Sequence, residues 1–131
     1  MARIFSERSL AALNGVHPDL VAVTRLALAR TRMDFTVVEG LRTLEKQREN
    51  VARGVSQTMN SKHLKQADGF GHAVDLYPFY EGSVQVNAPA ACFRQIADAM
   101  RAAADELGVS IIWGGDWKTL VDMPHFQLGG K

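Results

Sequence analysis

A chain of 131 residues has room for one domain with a substantial core and little else. Hydrophobic residues make up 47% and charged residues 22%, and 15 Lys and Arg stand against 14 Asp and Glu. That balance excludes a strong polyanion-binding field, so nucleic acid is not an expected partner. The lone cysteine, Cys92, excludes an internal disulfide and any zinc site built on several cysteines, and reads as inert packing on a helix. The polar start, Met1 to Arg8, lacks an apolar signal core, and no apolar run is long enough to span a membrane. Cytoplasmic synthesis follows as an expectation, with any work outside requiring help to get there.

Ser6 to Leu13 reads as a short helix closed by Asn14-Gly15. Pro18 opens a second helix with apolar periodicity to about Arg32. Phe35 to Glu39 is a β-branched strand candidate, and Gly40 breaks it. Thr43 caps a helix through about Arg53, with Gly54 as its closing glycine. Residues 55–71 form a long polar loop, a feature often functional in small domains. His72 to Tyr77 is a strand stopped by Pro78, and Glu81 to Asn87 is a loop with at most a small hairpin. Pro89 to Leu107 is an amphipathic helix ended by Gly108. Val109 to Trp113 is a strand, Gly114-Gly115 a turn, and Met123 to Leu128 a last short strand. The sum is a single α+β domain over 1–131, its helices packed on a small, mainly antiparallel sheet.

Histidines and carboxylates concentrate in Ser61-Lys-His63, Gly71-His-Ala-Val-Asp75 and Asp122-Met-Pro-His125. Two imidazoles and one carboxylate make a ligand set for a catalytic zinc with an open fourth position. Along a strand Asp75 shares a face with Gly71 and Ala73, which would leave open space there, while His72 points away. Each residue alone has a plainer reading: His63 as a surface loop residue, Asp75 as a strand-end acid, Asp122 as a turn former. His17, before Pro18, is a capping or surface residue. Asp122 is placed to act as a general base, and Arg42 either binds a substrate carboxylate or pairs on the surface. Trp113 reads as core. No G-x-S-x-G or P-loop motif is present.

The ordered motifs Glu39-Gly-Leu-Arg-Thr43, Gln47, Gly54-Val-Ser56, Ser61-Lys-His63, Gly71-His-Ala-Val-Asp-Leu76, Trp113-Gly-Gly-Asp-Trp117 and Asp122-Met-Pro-His-Phe126 resemble the M15 zinc peptidases. They are most similar to its phage endolysin branch, the L-alanyl-D-glutamate peptidases. The resemblance runs from about Ser6 to Leu128. It implies a fold shared with Hedgehog domains, zinc held by His63, Asp75 and His125, and Asp122 as catalytic base. It further implies that Arg42 contacts substrate and that Ser61 orders the ligand loop beside it. One departure stands out: the family places its Asp seven residues after its His, whereas Asp75 follows His63 by twelve, five extra residues lying within Lys65 to Phe70. The insertion either bulges outward or demotes His63 in favour of His72 or Asp68.

The expected function is therefore a zinc-dependent endolysin, cutting the L-alanyl-D-glutamate bond of peptidoglycan stem peptides as a monomer after release by a holin. The alternatives are a D-alanyl-D-alanine carboxypeptidase and a non-catalytic zinc-containing binding module.

Overall fold

The computed structural model describes residues 3–54 and 61–129. The first part of the expected long loop, including Ser56, lies outside the described residues. Helix α1 (Glu7–Leu13) begins where the Ser6 hydroxyl accepts the Ser9 N–H. Helix α2 (Pro18–Arg30) has Pro18 in its first turn, and the His17 ring accepts the Asp19 N–H, so His17 is a cap. The helix stops short of Arg32 because the Thr31 hydroxyl bonds both the carbonyl and the N–H of Met33, offering the backbone a local alternative.

Strands β1 (Phe35–Glu39), β2 (Ala73–Tyr80), β4 (Ile111–Trp113) and β5 (His125–Leu128) pair antiparallel in the order β1-β2-β5-β4. The two-residue β3 (Ser83–Val84) pairs with the last residues of β2. Glu81 and Gly82 both have positive φ between them, the backbone of a tight hairpin turn. Helix α3 (Leu44–Ala52) follows a Thr43 cap and is closed by Gly54 with φ 74°. Helix α4 (Ala90–Leu107) buries Phe93, Ile96, Ala97, Met100, Ala103 and Ala104, one stripe at helical spacing, and ends on left-handed Gly108.

Helices α2 and α4 pack on each other, α1 lies against β1, and α4 lies against β2 and β4. Val74 and Leu76 of β2 and Phe126 of β5 join Leu20, Val23 and Met100 in the core, nearly all solvent excluded. Each such side chain contributes about 1.5–3 kcal/mol by leaving water. The α+β architecture expected from the sequence is the one observed. The alternation that sends Val74, Leu76 and Phe126 inward sends Asp75 and His125 to the opposite face.

Several boundaries differ from the sequence expectation. Strand β2 runs through Pro78 to Tyr80, and Pro78 is buried within it. The Leu76 N–H points to the Pro124 carbonyl, and the residue-78 nitrogen has the same orientation beyond the start of β5. Pro78 keeps its acceptor role there, its carbonyl taking the Gln85 N–H beside the two-residue β3, so a proline is tolerated near this end of the ladder. Strand β5 begins only at His125, since Met123-Pro124 lie in a turn closed by His125 N–H on Asp122 O. Strand β4 covers Ile111–Trp113 only, and Gly114–Asp116 is a short 3-10 turn. Cys92 is half-buried, outside the core stripe of α4.

Candidate metal centre and catalytic cleft

Asp75 and His125 are direct cross-strand partners in the β2–β5 register. Their side chains therefore stand side by side on the face away from the helices, with His125 Nδ1 3.3 Å from Asp75 Oδ1. His63 enters from the preceding loop, and its Nε2 lies 3.2 Å from the same Asp75 oxygen. Backbone bonds pin that loop: the Arg42 N–H is donated to His63 O, the His72 N–H to Lys62 O, and the His63 N–H to Ser61 Oγ. Ser61 thus orders the loop that carries His63. One ligand atom from each of His63, Asp75 and His125 lies within 4.8 Å of the others, a group able to hold a metal ion.

The protonation pattern fits a cation at that point. His63 Nδ1 lies 2.8 Å from the Gly40 carbonyl, which can only accept, so Nδ1 carries the hydrogen. His125 Nε2 is likewise held 2.9 Å from Gln127 Oε1. With the outward nitrogens held by acceptors, the inward nitrogen of each ring is the one aimed at the Asp75 carboxylate, whether it carries a hydrogen or binds a metal. Three potential donor atoms converge there, a group that a proton or a metal ion can bridge.

Electrostatics follow the same geometry. Burial opposes ionisation of Asp75, but hydrogen bonds and charge from His125 and His63 outweigh it and hold the carboxyl far below the usual range. Burial also opposes charge on His125, yet bonds to Asp75 and Gln127, with the charges of Asp75 and Asp122, raise its pKa. Asp122 behaves differently. Half-buried and without a donor to its carboxylate among the described residues, it has its pKa raised by burial and by the Asp75 charge, against the pull of His125, His63 and Arg42. A carboxylate of raised basicity beside a metal group suits proton transfer.

Arg42 is no loose surface residue. Its guanidinium is paired with Glu39 through Nε and reaches Gln47 Oε1 at 2.6 Å through Nη1, with its side chain only 12% exposed. Gln47 is fully buried, one turn inside the Thr43 cap. Trp113 is core, its indole N–H donated to Met123 O, while the Trp117 ring lies 5.2 Å from that of His125.

The insertion bulges outward. His72 faces away from Asp75 and bonds Asp68 at 2.7 Å; His17 lies 3.7 Å from the same oxygen, and the Phe70 ring packs edge-on to His17. Neither His72 nor Asp68 joins the His63 group. The open space expected beside Asp75 at Gly71 is absent: Gly71 is buried, and a Cβ there would meet His63 O at 3.1 Å and Leu41 at 3.2 Å. Close approach of two chain segments explains this glycine.

Sequence reasoning passed over five contributors. Gly40 lends only a backbone carbonyl, which no motif reveals. Gln127 follows His125 by two residues and so shares its face, a signal that strand periodicity offers. Glu39 and Gln47 stood inside recognised motifs without a role. Tyr77, two residues past Asp75 on β2, lines a cleft of about 460 Å3 together with Asp122, Val86, Asn87 and Met123.

Comparisons with known proteins point to one family. A family model described as phage L-alanyl-D-glutamate peptidase matches residues 1–127. The chain is 34% identical over 121 residues to the L-alanyl-D-glutamate peptidase of Escherichia phage T5, spanning 90% of this chain and 84% of that protein. It is 33% identical over 135 residues to the L-alanyl-D-glutamate peptidase of Listeria phage A118, there covering 44% of the relative's length. The crystal structure of Serratia marcescens L-Ala D-Glu endopeptidase ChiX matches with a TM-score of 0.85 at 48% identity, over 98% of this chain and 91% of that one. On these matches the chain belongs to the phage L-alanyl-D-glutamate peptidase family.

Proposed function

We propose that this protein is a zinc-dependent peptidoglycan peptidase of the M15 type, hydrolysing the L-alanyl-D-glutamate bond of stem peptides. The observation that carries the reading is the convergence of His63 Nε2, Asp75 Oδ1 and His125 Nδ1, with the outward nitrogens locked on Gly40 and Gln127. Two imidazoles and one carboxylate are a donor set suited to zinc in a catalytic site. When bound, zinc would polarise the scissile carbonyl and make a water acidic.

The remaining steps belong to the chain's own groups. Asp122 takes a proton from the attacking water as its oxygen bonds to the carbonyl carbon. The C–N bond then breaks, and Asp122 returns the proton to the departing amine. Arg42, fixed by Glu39 and Gln47, places positive charge beside the developing oxyanion. Ser61 keeps His63 in position. No helix among the described residues is long and apolar enough to cross a membrane. We read the protein as a monomeric endolysin that reaches the wall after release by a holin.

Mass spectrometry of purified peptidoglycan digested with the zinc-loaded protein tests this directly. Stem peptides bearing a new amino-terminal glutamate, formed with zinc and abolished by chelation, are the expected product. Removal of terminal D-alanine alone would replace the reading with a carboxypeptidase. Stoichiometric zinc without any cleavage would leave a binding module.

A further inference from the structure

Two clefts are lined by chain neighbours of the metal group, one by Pro124 beside His125 and the other by Leu64 beside His63, and they differ in charge. The first, of about 460 Å3, is walled by Tyr77, Val86, Asn87, Val121, Asp122 and Met123; its one charged wall residue is acidic. The second, of about 450 Å3, is walled by Leu41, Arg42, Thr43, Leu44, Leu64 and Lys65. Both charged residues of this second cleft are cations. Arg42 links the two regions, since its charge acts on Asp122 while its side chain lines the second cleft.

The two cations are not equivalent. The Arg42 guanidinium is already paired with Glu39 and bonded to Gln47, so those donors are engaged and its position is fixed. Lys65 is exposed and has no carboxylate partner among the described residues. It is also the first residue of the inserted stretch Lys65 to Phe70. The insertion is anchored at its base: Gln66 N–H bonds Phe70 O, the Gln66 amide holds Leu64 O at 2.7 Å, and Gly71 is stitched to Gly15 and His17. Lys65 therefore projects from a fixed turn two residues beyond His63.

A glutamyl residue on the amine side of the scissile bond brings a second carboxylate that the alanyl side lacks. The cleft containing Asp122 repels that group, and the Arg42–Lys65 cleft attracts it. We propose that the stem peptide lies with its glutamyl residue over the Arg42–Lys65 cleft and its alanyl side in the Tyr77–Asp122 cleft, with Lys65 as the cation that reads the free glutamyl carboxylate. This assignment rests on the peptidase reading above and adds to it an orientation and a specificity-determining residue.

The test uses two soluble peptides, N-acetyl-L-alanyl-γ-D-glutamyl-L-lysine and its counterpart with the free glutamyl carboxylate amidated. With zinc-loaded protein, Lys65→Gln is expected to lower kcat/KM on the carboxylate peptide about fivefold, the upper range for an exposed charge pair. The loss falls in KM, and cleavage of the amidated peptide is unchanged. Lys65→Arg restores the preference, and Lys62→Gln, a loop lysine outside the cleft wall, leaves both peptides unaffected. Zinc content and Tm measured on each variant confirm that the site remains built. An equal loss on both peptides, no loss with Lys65→Gln, or the same loss with Lys62→Gln would overturn the assignment while leaving the peptidase reading intact. Cleavage of neither peptide by the parent protein would overturn both.

Discussion

The Nδ1–H of His63 is donated to the carbonyl of Gly40 across 23 residues of sequence, at 2.8 Å in a buried setting. That bond ties the loop carrying His63 to the end of β1 and decides which nitrogen faces Asp75. Position 40 tolerates no side chain, because a Cβ there would sit 2.0 Å from the Ala12 carbonyl oxygen and 2.7 Å from Val16 Cγ2. Gly40→Ala must therefore displace backbone of α1 or of the Gly40 turn. The expected cost is about 3 kcal/mol, the severe end of overpacking, with weakened zinc affinity as His63 loses its orienting partner. Urea unfolding and a zinc titration check both, and a variant of parental stability and affinity would refute the role given to the Gly40 carbonyl.

Metal holding and proton transfer separate by substitution. His125→Ala removes one of the three converging donors, and loss of both zinc and hydrolysis is expected. Asp122→Ala leaves the donors in place, so zinc stays stoichiometric while kcat falls by about 10²–10⁴. Metal analysis of each purified variant beside its rate on peptidoglycan reads the difference. Full activity in Asp122→Ala would end its assignment as base.

In the metal-free protein the two aspartates have opposite pH signatures. Asp122 has a raised folded-state pKa, through burial and then the Asp75 charge. Its contribution to stability is complete below its unfolded value and disappears as pH rises through the folded one. Asp75 has a depressed pKa, so its contribution is present above the unfolded value and is lost in acid. At pH 7, Asp122→Asn should raise Tm and Asp75→Asn should lower it, with the Asp122 gain vanishing in strong acid. Thermal melts in chelator across that pH range provide the comparison, and a Tm for Asp122→Asn below the parent at pH 7 would contradict the sign.

How far the site was legible in the sequence depended on the kind of bond involved. Side chains at strand and helix periods were readable: the α4 stripe, the Thr43 cap, and Asp75 opposite in face to Val74. The choice between His63 and His72 was not, because five additional residues fall between His63 and Asp75. In the fold, His63 rather than His72 lies beside Asp75, through backbone pairing of His17 N–H on Gly71 O and Gly71 N–H on Gly15 O, which loops the insertion outward before β2 begins. Pro78 misled for a related reason. A proline at the end of a ladder still offers its carbonyl, and Pro78 does so to Gln85 while β2 runs on to pair with β3. Main-chain acceptors such as Gly40 leave no mark on residue identity.

Gly114 connects the last strand pair to Asp122, the proposed catalytic base. Its carbonyl accepts the Asp122 N–H at 3.0 Å, and the Asp122 carbonyl in turn accepts the His125 N–H at 3.1 Å. The turn bearing the base and the strand bearing a candidate ligand thus hang from one residue. A Cβ at position 114 would stand 2.4 Å from Asp122 O and 3.1 Å from the Cβ atoms of both Asp122 and His125. Gly114→Ala therefore pushes the 122–125 turn outward, while the sheet pairing of Asp75 with His125 resists. Displacement falls mostly on Asp122, which lies outside the strand. A shift of about 1 Å in a reacting group costs about 10²-fold in rate, so kcat should fall by that order with KM and zinc content little changed. Stability should drop by about 1–3 kcal/mol. Steady-state kinetics with metal analysis distinguish this from general unfolding, and retention of kcat within twofold of the parent would show that Asp122 is not held where Gly114 places it.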